Sequence, residues 1–107
     1  MSFDCSDYKQ YKRLHLSGEV DLHNSPDVRR CLLDILNRKK SVIVDFSDLT
    51  YIDSSGMATL VEGLNIANKM NLTLTIVGAK DAPLQVLQLT RLNQVFHIVE
   101  SLEDIEE

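Results

Sequence analysis

No stretch of this sequence approaches the roughly 20 consecutive apolar residues that a helix needs to cross a bilayer. The opening Met-Ser-Phe-Asp-Cys-Ser-Asp carries neither the basic nor the apolar part of a secretory signal. A cytoplasmic protein with no direct membrane insertion is therefore expected. Cysteine is scarce: Cys5 and Cys31 make neither a disulfide framework nor a metal cluster, and in a reducing compartment each reads as a small buried hydrophobe. His15, His23 and His97 have no second ligand at helical or hairpin spacing, so no metal site is expected. Positive charge is also short, and a formal net charge of −5 argues against nucleic acid as a partner.

The motifs of nucleotide and hydrolase chemistry are missing as well. There is no Gly-x-x-x-x-Gly-Lys-Ser/Thr loop and no dinucleotide fingerprint. A serine hydrolase elbow needs glycine two residues before its nucleophile, but Ile52 stands there relative to Ser54 and Asp53 relative to Ser55. Asp45, Asp48 and Asp53 read as caps and turn residues in preference to a magnesium site. No enzyme activity and no cofactor is expected.

What remains is an ordinary globular composition, 107 residues with 44% hydrophobic and 25% charged. It suffices for one domain over 1–107 that buries about two-thirds of the surface of its unfolded chain. Two extended segments, Phe3 to Tyr8 and Tyr11 to Ser17, are joined by Lys9-Gln10 as a hairpin. Gly18 to Asn24 reads as a loop, after which Ser25 as N-cap and Pro26 at the first helical position open a helix to about Arg38. Its apolar face is Val28, Cys31, Leu32, Ile35 and Leu36. Ser41 to Phe46 is nearly continuous in apolar residues, as in a strand covered on both faces. A polar loop from Asp45 to Ser55 leads into a helix from Ser54 to Met70, which Asn71 terminates. Leu72 to Val77 is a strand, Pro83 to Leu92 a short helix, Val95 to Val99 an edge strand, and Ser101 to Glu107 a helical or frayed acidic tail. The class is α/β, a mixed sheet of four to five strands with about four helices. Right-handed connections allow the Gly18–Asn24 and Asp45–Ser55 loops to share one edge, where α/β folds usually engage ligands or partners.

The second of these loops sets a serine hydroxyl at a helix N-terminus. Free backbone N–H groups and the helix dipole make that position hospitable to phosphate, bound or covalently attached. The plain alternative is that Asp53 or Ser54 caps the helix, worth ~1 kcal/mol. Ser55 is the rival acceptor. Gly56 would let a partner's backbone approach or would serve helix packing, and Asp21 would orient the hydroxyl or a kinase-bound metal, or merely solubilise a turn. His23 lies in the neighbouring loop. On the helix, Thr59, Gly63, Ile66 and Met70 recur at four, three and four residues; this line reads either as a docking surface running away from Ser54 or as a face buried within the domain.

The string Asp53-Ser54-Ser55-Gly56, following an apolar strand and Asp-Leu-Thr-Tyr-Ile, together with Gly18-Glu19-Val20-Asp21, resembles the STAS domain of bacterial anti-sigma factor antagonists. The resemblance spans almost the whole chain and implies the same mixed sheet with interspersed helices. It implies phosphorylation of Ser54 by a partner anti-sigma factor serine kinase, reversal by a PP2C-type phosphatase, and acidic flanking positions at Asp21 and Asp53. The unmodified form would bind the kinase and the phosphorylated form would be released. Two alternatives accompany this reading: an accessory subunit that binds the ATPase of a phospholipid-trafficking ABC transporter, and a scaffold in another signalling pathway.

Overall fold

The computed structural model describes residues 2–105. In chain order they form β1 (Ser2–Tyr8), β2 (Tyr11–Val20), α1 (Ser25–Asn37), β3 (Val42–Ile52), α2 (Ser54–Lys69), β4 (Leu74–Val77), α3 (Asp81–Leu89) and β5 (His97–Val99). Short 3₁₀ turns follow at Leu92–Gln94 and Leu102–Asp104. The expected four helices are thus three α-helices plus these turns, and Glu106 and Glu107 of the expected tail lie outside the described residues. The strands form one sheet in the order β1-β2-β3-β4-β5. β1 is antiparallel to β2, and every later neighbour is parallel. The hairpin is tight, with Tyr8 opposite Tyr11 and Lys9 taking the positive φ of 55° that Asn or Gly more often supplies.

Burial follows the sequence pattern and then adds to it. Val42 and Val44 join the main core with Leu14, Leu16, Leu32 and Leu60, while Ile43 faces the opposite side with Val77 and Ile105. All three helices contribute to the main core, so they share one face of the sheet. The other face is covered by Tyr8, Tyr11, Val99 and the C-terminal turn through Leu102 and Ile105. Each fully buried leucine contributes about 1.5–3 kcal/mol through transfer from water alone.

Several boundaries differ from the sequence expectation: β4 and β5 each start two residues later than expected, at Leu74 and His97, α3 spans Asp81–Leu89 where Pro83 to Leu92 was expected, and three further differences bear on the site. β2 runs on through Gly18 to Val20, and β3 runs on through Asp45 to Ile52, so most of both expected loops is strand. The pairing shifts twice: His15 faces Asp45 but Ser17 faces Asp48, and Gly18 faces Leu49 but Glu19 faces Tyr51. β3 therefore carries an extra residue at each shift, a bulge that bends the strand and breaks the alternation of its side chains. Gly18 sits at the second shift with φ +72°, a conformation that suits glycine. The N-cap of α1 is Asn24; Ser25 is already helical and buried. Asn24 does not cap with its side chain, which instead accepts from the Asp21 amide (2.8 Å) and donates to the Glu19 carbonyl (2.9 Å).

The line Thr59, Gly63, Ile66 and Met70 turns inward. Thr59 and Gly63 are buried, and Ile66 and Met70 are half-buried against the main core. A methyl on Gly63 would fall on the Leu32 side chain of α1, so the glycine sets how closely α1 and α2 approach. Of the two readings of this line, burial within the domain is the one that the positions of Thr59, Gly63, Ile66 and Met70 favour. Arg29 of α1 reaches across to Glu62 of α2 at the outer margin, with Nε and Nη2 each 2.7 Å from a carboxylate oxygen. Gly63→Val is expected to destabilise the domain by about 1–3 kcal/mol through overpacking, read as a lower urea midpoint with unchanged m-value.

Candidate functional site

The site is built where β3 stops. Asp53 is extended (φ −99°, ψ −174°), and its Oδ1 accepts from the amides of Ser55 (3.0 Å) and Gly56 (3.1 Å) and from the Ser55 hydroxyl (2.6 Å). One carboxylate oxygen thereby answers two of the unpaired donors at the start of α2. The Ser55 hydroxyl holds the Asp53 carboxyl below its ordinary value of 3.8; desolvation works against this, and the amides of Gly56, Ser55 and Leu22 add to it. The Asp53 amide in turn donates to the Val20 carbonyl at 3.1 Å, so the two strand ends are joined directly.

The loop after β2 is only four residues long and is closed on Asp21. Asp21 Oδ1 accepts from the amides of His23 (2.9 Å) and Asn24 (3.3 Å), an Asx turn, and its carbonyl accepts from the Ser25 amide at 2.8 Å. Asp21 is thus committed to its own turn, and the turn holds Leu22 and His23 out in solvent, Leu22 being 70% exposed. Gly56 points the other way. It is buried, and a Cβ there would stand 2.7 Å from Ile52 Cγ1 and 2.9 Å from Val20 Cγ1. Its smallness serves the seating of α2 on the ends of β2 and β3, which leaves no opening for a partner's backbone.

Ser54 and Ser55 have different surroundings. Ser55 is half-buried and its hydroxyl is held by Asp53. Ser54 is exposed in the first turn of α2, and its hydroxyl makes no hydrogen bond among the described residues. Beside it runs an apolar groove of about 710 Å³ between α2 and α3, with Tyr51, Ser54, Met57 and Ala58 on one side and Val86 and Leu92 on the other. Tyr51 is 46% exposed at its mouth. The groove escapes sequence reasoning because its walls come from segments some thirty residues apart. Leu22 was visible as an apolar residue inside a polar loop, and Tyr51 was hidden by the bulge before it.

The other acidic residues of β3 do not converge on this site. Asp45 is buried and meets Arg13 of β2, with Nη2 and Nε at 2.6 and 2.9 Å from Oδ2, while Oδ1 accepts from the Ser47 amide at 2.9 Å. Burial pushes its carboxyl up, but Ser47 and Arg13 outweigh that and leave it below the usual range. Asp48 pairs with His15 at 2.7 Å. Among the described residues no group of three or more His, Cys, Asp or Glu is placed to hold a metal ion.

The sequence profile of the STAS domain matches residues 7–105. The chain belongs to the STAS domain family. Among its relatives is the anti-sigma-B factor antagonist of Staphylococcus aureus, 21% identical over 104 residues that cover 96% of each chain. The protein of the same name from Listeria monocytogenes is 22% identical over 87 residues, covering 79% of this STAS domain and 75% of the relative. Of the solved structures, a putative anti-sigma factor antagonist of Thermotoga maritima superposes with a TM-score of 0.88 at 21% identity, covering 95% of this chain and 89% of that one. The phosphorylated form of the Bacillus cell fate determinant SpoIIAA superposes with a TM-score of 0.75 at 17% identity and covers 95% of both chains. These likenesses bear out the fold read from the sequence.

Asp45 and Asp53, like the exposed Asp7 beside Lys12 and Glu62 beside Arg29, are held below their ordinary values, which makes the stability of this STAS domain pH-dependent in one direction. Below 3.8 the unfolded chain binds protons that folded Asp53 and Asp45 still resist, so their contribution is complete above that value and is lost as pH falls through the folded values. Asp53→Ala is expected to cost about 1 kcal/mol at neutral pH and to flatten the acid limb of a stability-against-pH curve measured by urea unfolding.

Proposed function

We propose that this STAS domain is a cytoplasmic, non-enzymatic anti-sigma factor antagonist that binds an anti-sigma factor serine kinase when Ser54 is unmodified and is released when Ser54 is phosphorylated. A PP2C-type phosphatase returns it to the binding form. The observation that carries this reading is the division of labour between adjacent serines: Asp53 holds the Ser55 hydroxyl, while the Ser54 hydroxyl is exposed beside an apolar groove. The relatives named as anti-sigma-B factor antagonists support it at the level of the family role.

The geometry also suggests how a phosphate would act. The first-turn amides of Ser55 and Gly56 are taken by the Asp53 carboxylate, and that of Met57 by the Asp53 carbonyl at 3.0 Å. A phosphate on Ser54 would find these donors occupied, so it would stand out from the helix with about −1.5 to −2 charges, close to the Asp53 carboxylate. The domain keeps its cap and its fold, and the effect falls on whatever is docked against the groove. Leu22, Tyr51, Val86 and Leu92 supply apolar anchors around the serine, while His23 and Asp21 belong to the adjoining turn.

The test is recovery of the protein with its partners from its native cells, together with mass spectrometry of the Asp53 to Gly56 peptide. A serine kinase held by unmodified protein, with phosphate at Ser54 in the unbound fraction, is the expected result. Ser54→Ala should hold the kinase constitutively, and Ser54→Glu should weaken capture about a hundredfold, equivalent to ~3 kcal/mol. Capture of an ABC transporter ATPase by protein with unmodified Ser54 would replace this reading with that of a transport subunit.

A further inference from the structure

Cys5 and Cys31 are far apart in sequence and were read as separate buried hydrophobes, but the fold brings them together. In β1, Phe3 packs against the main core on the helix side and Tyr8 against the smaller cluster on the other. By strand alternation Cys5 shares the side of Phe3, which turns it towards α1. Cys31 stands on α1, half-buried and packed against the same core. The two Sγ atoms are 2.6 Å apart, and Cys5 is exposed to solvent.

We propose that Cys5 and Cys31 are a reversible redox pair, closed by exchange with a small-molecule disulfide, that fastens the edge strand β1 to α1. The accessible Cys5 thiolate attacks one sulfur of the reagent, forming a mixed disulfide and expelling one thiolate. Cys31 then loses its proton to solvent and attacks Cys5 Sγ, forming the Cys5–Cys31 bond and expelling the second half of the reagent as thiolate. The two protein thiols give up two electrons and two protons, and the reagent is reduced to two thiols. The order of attack follows from burial. The Cys31 thiol is pushed up to about 12, first by desolvation, then by its hydrogen bond with Cys5 and the charge there, with Asp34 adding and Lys12 opposing. Cys31 therefore stays protonated until Cys5 has reacted, and conversion of Cys5 to the mixed disulfide removes the Cys5 share of that shift.

The bond would close a span of 26 residues that contains β2 and the turn beside Ser54, and would restrict the unfolded chain accordingly. The experiment treats the reduced, folded, full chain with oxidised glutathione and follows intact mass, peptide linkage and melting temperature. Wild type is expected to lose two hydrogens, to yield the Cys5 peptide joined to the Cys31 peptide, and to melt about 10 °C higher than the reduced form. Cys31→Ser should stop at one glutathione on Cys5, and Cys5→Ser should gain no thermal stability from the treatment. A stable glutathione adduct on wild-type Cys5, linkage only between separate chains, or an unchanged mass would each overturn the proposal.

Discussion

The parallel pairing of β2 with β3, kept in step to the last residue of each strand, is the constraint on which the site depends. Val20 and Ile52 end opposite one another, and the Asp53 amide bonds to the Val20 carbonyl. Because the strands end together, the turn after β2 and the helix after β3 begin side by side. Two bulges make this possible by absorbing one extra residue of β3 each. Without them Asp53 would not meet Val20. A buried carboxylate lies at the first shift, where the half-buried Arg13 and the Ser47 amide together satisfy Asp45. A charge in that place is tolerable only with such partners, since an uncompensated buried carboxylate is costly.

From that junction the site follows by assignment of donors. Asp53 takes the amides and the hydroxyl that would otherwise compete for Ser54, and Gly56 lets the helix sit down on Ile52 and Val20. The Ser54 hydroxyl is left exposed, with no hydrogen bond among the described residues.

Much of this was legible in the sequence, and the failures have physical causes. α1 and α2 announced themselves by their helical period, the hairpin by the shortness of Lys9-Gln10, β3 by its unbroken apolar Val42–Val44 run, and the end of α2 by Asn71. The ends of β2 and β3 did not. Bulges spoil the two-residue alternation that marks a strand, and Ser47, Asp48 and Thr50 have the composition of a turn, so strand was read as loop. The inward line of Thr59, Gly63, Ile66 and Met70 has helical spacing whichever way it faces; only the position of α1 decides the matter. Within the Asp53–Gly56 string the order of residues gave the location of the site. The resemblance favoured Ser54 over Ser55 as acceptor, but that Asp53 holds the Ser55 hydroxyl depends on which hydroxyl points back at the carboxylate, which residue order does not show. The meeting of Cys5 with Cys31 likewise needed the packing of α1 over the sheet edge.

The groove between α2 and α3 changes the medium around Ser54 as well as the surface available there. On the free domain a charge at this position is surrounded by water and interacts weakly with its neighbours. Filling the groove with apolar side chains would expel that water and lower the local dielectric, and the same charge would then act several-fold more strongly on Asp53 and on the occupant. The groove would in this sense act as an amplifier: a charge that water screens on the isolated fold would become expensive once an apolar partner filled the groove.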